Sequence, residues 1–291
     1  MATHRKDGSA ILDVAAASAI LWQTQVMDTD ELVAAIEALR PRQRQRIMRL
    51  LDAMALGVET TANPSSDIAT ADFVDAFGDY IESHHAGSTR ALSKENFEYA
   101  MVASFNACDI PASKTESNTL AGQDIDVDGV AWSLKSEAAK NIKLDRIHIS
   151  KFMELGQGAW ATEDDLEALR ARMFDHLDRY DRIFTLRCIE RGRDNANNDT
   201  FTYELVEIPK SLFMRSQGVE IKFATGSKQT PVPASCFVPV DSRLPADGRK
   251  HLNNTLLELY FDGGTERKLQ IRKIKKDQCI VHATWKITVT P

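Results

Sequence analysis

Residues 123–137 read Gln-Asp-Ile-Asp-Val-Asp-Gly-Val-Ala-Trp-Ser-Leu-Lys-Ser-Glu and bring several carboxylates close to one lysine. Asp128-Gly129 is a strong signal for a two-residue hairpin turn. With that pair at the bend, Val127 faces Val130, Asp126 faces Ala131 and Asp124 faces Ser133. Side chains alternate across strands, so Ile125, Val127, Val130, Trp132 and Leu134 share an apolar face. Asp124, Asp126, Ala131, Ser133, Lys135 and Glu137 share the other. Carboxylates at a sheet edge hold Mg²⁺ through hard oxygen ligands. Such an ion lowers the pKa of bound water and neutralises charge building on a phosphodiester. A neighbouring lysine orients or deprotonates that water and stabilises the pentavalent phosphate. The run also begins like a calcium loop, Asp124-x-Asp126-x-Asp128-Gly129. Its twelfth position should then be a bidentate Glu and is Lys135, which excludes that reading.

The surrounding chain must hold this hairpin. Residues 10–57 read as helical, with Thr29 or Asp30 as a cap, Pro41 at a first turn and Gly57 as a stop. Residues 58–70, rich in Thr, Asn, Pro and Ser, read as a linker. Further helices are predicted over 72–83, over 94–107 behind a Ser93 cap, and over 163–180. Strands are predicted over 182–190, 201–208, 219–225, 256–261 and 281–289, the last in strict alternation. Helices first and strands later indicate α+β: a central mixed β-sheet flanked by helices, an N-terminal helical segment and a β-rich C-terminal part.

An acidic residue on one strand, then hydrophobic-Ser-Leu-Lys on the next, behind a Glu-bearing helix, resembles the PD-(D/E)xK nuclease superfamily. Within it the pattern is most similar to type II restriction endonucleases. The run from Trp132 to Lys140, followed by Ile147-His-Ile-Ser-Lys-Phe-Met-Glu-Leu155, carries the likeness, which covers residues 90–160. The resemblance implies an α/β/α restriction-endonuclease-like core and Mg²⁺-dependent cleavage of double-stranded DNA by activated water, leaving 5′-phosphates. Lys135 matches the motif lysine. Asp124 or Asp126 matches the first aspartate, with Asp126 preferred for its nearness to the turn. Ser133 stands where the family usually has an acid. Glu137 is the first candidate substitute and Glu154, on a stretch read as helical, the second. Glu98 matches an additional metal-binding glutamate on the preceding helix, with Glu95 as its rival.

Composition bounds the remaining choices. At 291 residues, 43% hydrophobic and 27% charged, the chain is of ordinary globular make-up, which excludes a wholly disordered protein. No uncharged apolar run reaches membrane-spanning length and no secretory signal is evident, so a cytoplasmic location is expected. The four cysteines lie 80, 48 and 43 residues apart, which is neither a zinc framework nor a disulfide scaffold. Phosphate-loop and dinucleotide fingerprints are absent. His84-His85 and His148 suggest structural or DNA-contacting roles rather than catalysis. The net charge of −6 argues against a protein that coats nucleic acid, but not against a local basic cleft. Lys140, Lys143, Arg146 and Lys151 face one acid over residues 140–151. Arg267, Lys268, Arg272, Lys273, Lys275 and Lys276 form a second basic run, offering phosphate contacts and guanine readout.

These observations predict a helical segment over 1–66 and an endonuclease domain over 67–291, with a catalytic core at 90–210 and DNA recognition at 211–291. A homodimer is expected, because cutting both strands of a palindrome calls for two-fold symmetry. A cognate DNA methyltransferase is the expected functional partner. The alternative is a non-catalytic DNA-binding or regulatory protein that keeps a degenerate nuclease core, with Ser133 as the mark of decay.

Overall fold

The computed structural model describes residues 28–115, 122–246 and 253–289. The chain divides into two units, residues 1–49 and 50–291. Within the first lie helix α1 (Thr29–Ala38) and the opening of α2 (Pro41–Leu56). The expected helix over residues 10–27 lies outside the described residues.

The second unit is built on a seven-stranded sheet. Its strands, in chain order, are β1 (Val58–Ala62), β2 (Ala112–Lys114), β3 (Ile125–Val127), β4 (Val130–Glu137), β6 (Arg182–Arg193), β7 (Asp199–Glu207) and β12 (Ile280–Val289). The spatial order is β1-β12-β7-β6-β4-β3-β2. Only β4 and β6 run parallel, with Lys135 beside Thr185, and the other pairs are antiparallel. The sheet is therefore mixed, as the α+β reading expects.

Two helices cover one face. Thr70 accepts the Phe73 N–H and so caps α3 (Ala71–His85), which buries Phe73, Val74, Phe77 and Ile81. Ser93 likewise caps α4 (Lys94–Ala107), whose Phe97, Met101 and Phe105 recur every four residues and are buried. These side chains meet Ile125, Trp132, Leu134 and Trp285 of the sheet in one core. Trp132 stacks on Phe184 with ring centroids 4.4 Å apart.

The opposite face is covered by α5 (Glu163–Leu177), the short helix α6 (Lys210–Met214) and a second, five-stranded sheet. That sheet comprises β5 (Arg146–Glu154), β8 (Lys222–Phe223), β9 (Ala234–Pro239), β10 (Thr255–Asp262) and β11 (Lys268–Lys275), in the order β5-β11-β10-β9-β8. Ile147, Ile149, Leu257, Leu259, Leu269 and Ile271 point into the core.

Two expectations change here. Residues 58–62, read as linker, form edge strand β1 against β12, with Val58 opposite Ile287. Asn63 donates to the Val281 carbonyl and the Ser66 hydroxyl meets His282, so this polar segment is tied down by hydrogen bonds. The stretch carrying Glu154, read as helical, is strand β5 (Arg146–Glu154). Ile147, Ile149 and Phe152 are drawn into the core between β11 and α5, a partnership invisible in local periodicity.

Candidate active site

The hairpin forms with the register its residues dictate. Asp128 (φ 51°) and Gly129 (φ 79°) take the two positive-φ positions of the turn, and Val127 pairs with Val130. Asp126 Oδ1 accepts the Gly129 N–H at 2.9 Å and is spent on the bend. Asp124 lies just before β3 with its N–H on the Trp132 carbonyl, and its carboxylate turns toward β4. Oδ2 accepts the Leu134 N–H at 2.6 Å and the Ser133 hydroxyl at 3.2 Å. Lys135 Nζ donates to that same hydroxyl at 2.8 Å and lies 3.7 Å from Asp124 Oδ2. Of the two aspartates, it is Asp124 rather than Asp126 whose carboxylate the structure brings to the lysine. Asp124 meets the lysine because its carboxylate turns onto the Ser133 hydroxyl and the Leu134 N–H of β4, beside the lysine.

Helix α4 completes the cluster. Lys94, in its first turn, reaches Glu98 Oε1 at 2.8 Å and Asp124 Oδ1 at 2.5 Å. Lys114 of β2 approaches Glu98 Oε2 at 2.9 Å. Two nearly buried carboxylates thus converge on one ammonium. Glu95 is exposed. The Lys135 side chain is only 11% exposed. Burial depresses its pKa below the ordinary lysine value. Asp124 opposes that shift and the charge of Lys94 adds to it. For Lys94 burial alone would lower the pKa, but Asp124 and Glu98 outweigh it and the net shift is upward.

Lys94, Asp124, Lys135, Ser150, Lys151 and His176 line a cleft of about 390 Å³, far more room than one ion needs. His176, on α5, is buried, and among the described residues its Nε2 has no hydrogen-bond partner. Burial, then the charges of Lys135 and Arg179, hold its pKa at about 4, so the ring is neutral at pH 7. The chain passes close over this ring at Gly122 (φ 112°), where a Cβ would lie 2.7 Å from His176 Cε1.

A family model of type II site-specific deoxyribonucleases of the SmaI kind matches residues 32–287. The chain is also 39% identical, over 262 residues, to the type II restriction enzyme SmaI of Serratia marcescens. That match covers 90% of this chain and 98% of the relative. This chain belongs to the SmaI family of type II restriction endonucleases. No solved structure matches it.

Within this SmaI-family nuclease the other expected site residues are placed unevenly. Glu137, offered as a substitute ligand, is already committed. Its Oε2 accepts Arg187 Nε at 2.6 Å and its Oε1 accepts the His148 N–H at 3.1 Å. Arg187 is fully buried and needs that charge, together with Glu204, for compensation. Glu154 ends strand β5, is 69% exposed and pairs with Lys151, which itself also pairs with Glu266. It lines a neighbouring pocket with Arg172 and Asp175. Lys140 and Lys143 are exposed on the β4–β5 connection.

The second basic run is mostly neutralised at home. Lys268 pairs with Glu266, Lys273 with Glu258, Lys275 with Asp277 and Lys276 with Glu204. Arg267 donates to the carbonyls of Gln157 and Gly158. Arg272 differs: its guanidinium carbon sits over the Tyr260 ring.

Sequence reasoning missed Lys94, Lys114 and His176. The i,i+4 spacing of Lys94 and Glu98 was a usable signal for the first. A second group with metal-ligand chemistry, Asp67, Glu207 and His282, also comes together. There Arg182 already holds both carboxylates, at 2.8 Å from Asp67 and 2.6 Å from Glu207. Its guanidinium supplies the positive charge an ion would bring.

Proposed function

We propose that the chain cleaves double-stranded DNA at specific sites by Mg²⁺-dependent hydrolysis of the PD-(D/E)xK type, leaving 5′-phosphates. The observation that carries this is the convergence of Lys94, Asp124 and Lys135 on one cleft, with Glu98 holding the same Lys94 ammonium. The two carboxylates already share a cation, the Lys94 ammonium, so their oxygens suit a hard divalent ion. Bound by Asp124 and Glu98, Mg²⁺ supplies positive charge that acidifies a water and offsets charge on the phosphodiester.

The chain's own residues do the rest. Lys135 Nζ orients the attacking water and faces the charge that grows on phosphorus. Asp124 and the Ser133 hydroxyl fix the direction of that Nζ. Ser133 thus joins the lysine to the aspartate, which speaks against a decayed core. Lys151, on the cleft wall, offers a phosphate contact once DNA displaces its surface carboxylates.

The active form we propose is a homodimer, since a two-fold symmetric site needs two cutting centres. Helices α1 and α2 carry exposed Leu32, Val33, Met48 and Leu51, which a second copy would cover. A DNA methyltransferase of the same specificity protects the host from such an enzyme. The test is a plasmid digest. Discrete fragments with Mg²⁺, and none with chelator, are expected; a purified protein that leaves every plasmid intact with each divalent ion overturns the reading.

A further inference from the structure

The outer face of the five-stranded sheet is polar and runs into the cleft. Along β5, Ile147 and Ile149 point inward while His148 and Ser150 point out. Ser150 also lines the cleft beside Asp124 and Lys135. Beside this strand β11 sets the buried Gln270 and the half-buried Arg272 on the outer face, and β10 sets half-buried Tyr260 and Asp262 there. A duplex with its backbone in the cleft would therefore pass over this face.

Arg272 is held there in a fixed pose. Its guanidinium carbon lies 3.4 Å from the centroid of the Tyr260 ring. Its Nε donates to Gln270 Oε1 at 2.9 Å. Gln270 in turn donates to Asp262 Oδ2 at 2.9 Å, and Asp262 Oδ1 takes the Gly264 N–H at 3.1 Å. The stack sets the plane of the guanidinium and the Gln270 bond sets its rotation. Among the described residues no acceptor takes Nη1 or Nη2, whereas the other cations of this run are bound to carboxylates or carbonyls. The end-on pair of N–H donors of this half-buried side chain is thus unspent.

A planar fork with two parallel donors matches O6 and N7 of guanine in the major groove. A cation meant only for phosphate needs neither a fixed plane nor a fixed rotation. We infer that Arg272 reads a guanine of the recognition site, with Tyr260, Gln270 and Asp262 as the frame that holds it in register. This inference rests on the proposed DNA-cleaving reading and deepens it.

The experiment uses the full chain. The cut site is first mapped on plasmid DNA with Mg²⁺. Duplexes of that site are then made with 7-deazaguanine, which lacks the N7 acceptor, at one guanine at a time. The wild-type protein should cut at least one of them about tenfold more slowly or worse. In Arg272→Lys, which keeps the charge but loses the fork, that one substitution should no longer matter, while sensitivity at other guanines persists. Tyr260→Leu, which removes the stack, should blunt the same position and serves if the lysine variant folds poorly. A wild-type enzyme indifferent to every 7-deaza substitution, or a penalty unchanged in both variants, overturns the role of Arg272 alone. A wild-type protein that cuts no duplex overturns the cleavage reading and this inference together.

Discussion

Glu98 and Asp124 reach the same ammonium from two different elements, Lys94 Nζ lying 2.8 Å from one and 2.5 Å from the other. Their side chains are 12% and 13% exposed. Two carboxylates this enclosed need a cation between them. Replacing Lys94 by Met removes the resident charge. Magnesium should then bind about tenfold more tightly in the absence of DNA, because no ammonium opposes it. Titration calorimetry measures this directly, and unchanged affinity would place the ion elsewhere.

The two aspartates of the hairpin are expected to behave differently. Asp124→Ala and Lys135→Ala should each slow plasmid cleavage by about 10² to 10⁴-fold and leave the fold intact. Asp126→Ala removes one turn hydrogen bond and should cost about 1 kcal/mol of stability with cleavage nearly unchanged. Equal losses of cleavage rate for both aspartates would contradict the geometry.

Glu137 is a structural anion in this arrangement. Glu137→Gln leaves Arg187, which is fully buried, with one carboxylate fewer. A loss of about 3 to 5 kcal/mol in denaturant unfolding is expected. The fraction that remains folded should bind Mg²⁺ as the wild type does. Weaker metal binding with stability intact would return Glu137 to the ligand set.

Glu207 provides a test in acid. Burial alone would raise its pKa, but hydrogen bonds from His282 and Arg182 hold it at about 2. A carboxylate depressed in the fold contributes its full stability above its unfolded pKa and loses it as pH falls toward the folded value. The contribution, on the order of 3 kcal/mol, should fade between about pH 4.5 and pH 2. Glu207→Gln should be less stable than wild type at pH 7, and the gap should close over that window in a denaturation series. A pH-independent gap would show that charge is not the cause.

His176 adds a second acid-sensitive element. Its pKa in the fold is about 4, so the unfolded chain takes up a proton at higher pH than the folded one does. Stability should fall as pH drops from about 6.5 to 4, where an unfolded histidine becomes charged first. In His176→Leu that part of the slope should vanish, as followed by thermal unfolding at each pH.

How much of this was legible in residue order depends on range. The Asp128-Gly129 bend, the register that pairs Val127 with Val130 and Asp126 with Ala131, and the Ser93 cap of α4 could all be read. Each depends on residues a few positions apart, where backbone sterics and side-chain alternation leave little choice. The α+β character was readable for the same reason. Which charges meet was not. Lys94 and Glu98 come onto Asp124 because α4 packs its Phe97-Met101-Phe105 stripe on β3 and β4. Glu137 goes to Arg187 because parallel pairing sets the two side by side. Arg146–Glu154 becomes a strand because β11 offers a partner more than a hundred residues away, and Arg272 gains its frame from β10. Such pairings are chosen by burial of distant apolar faces, and a buried charge then takes whichever opposite charge that packing brings within reach.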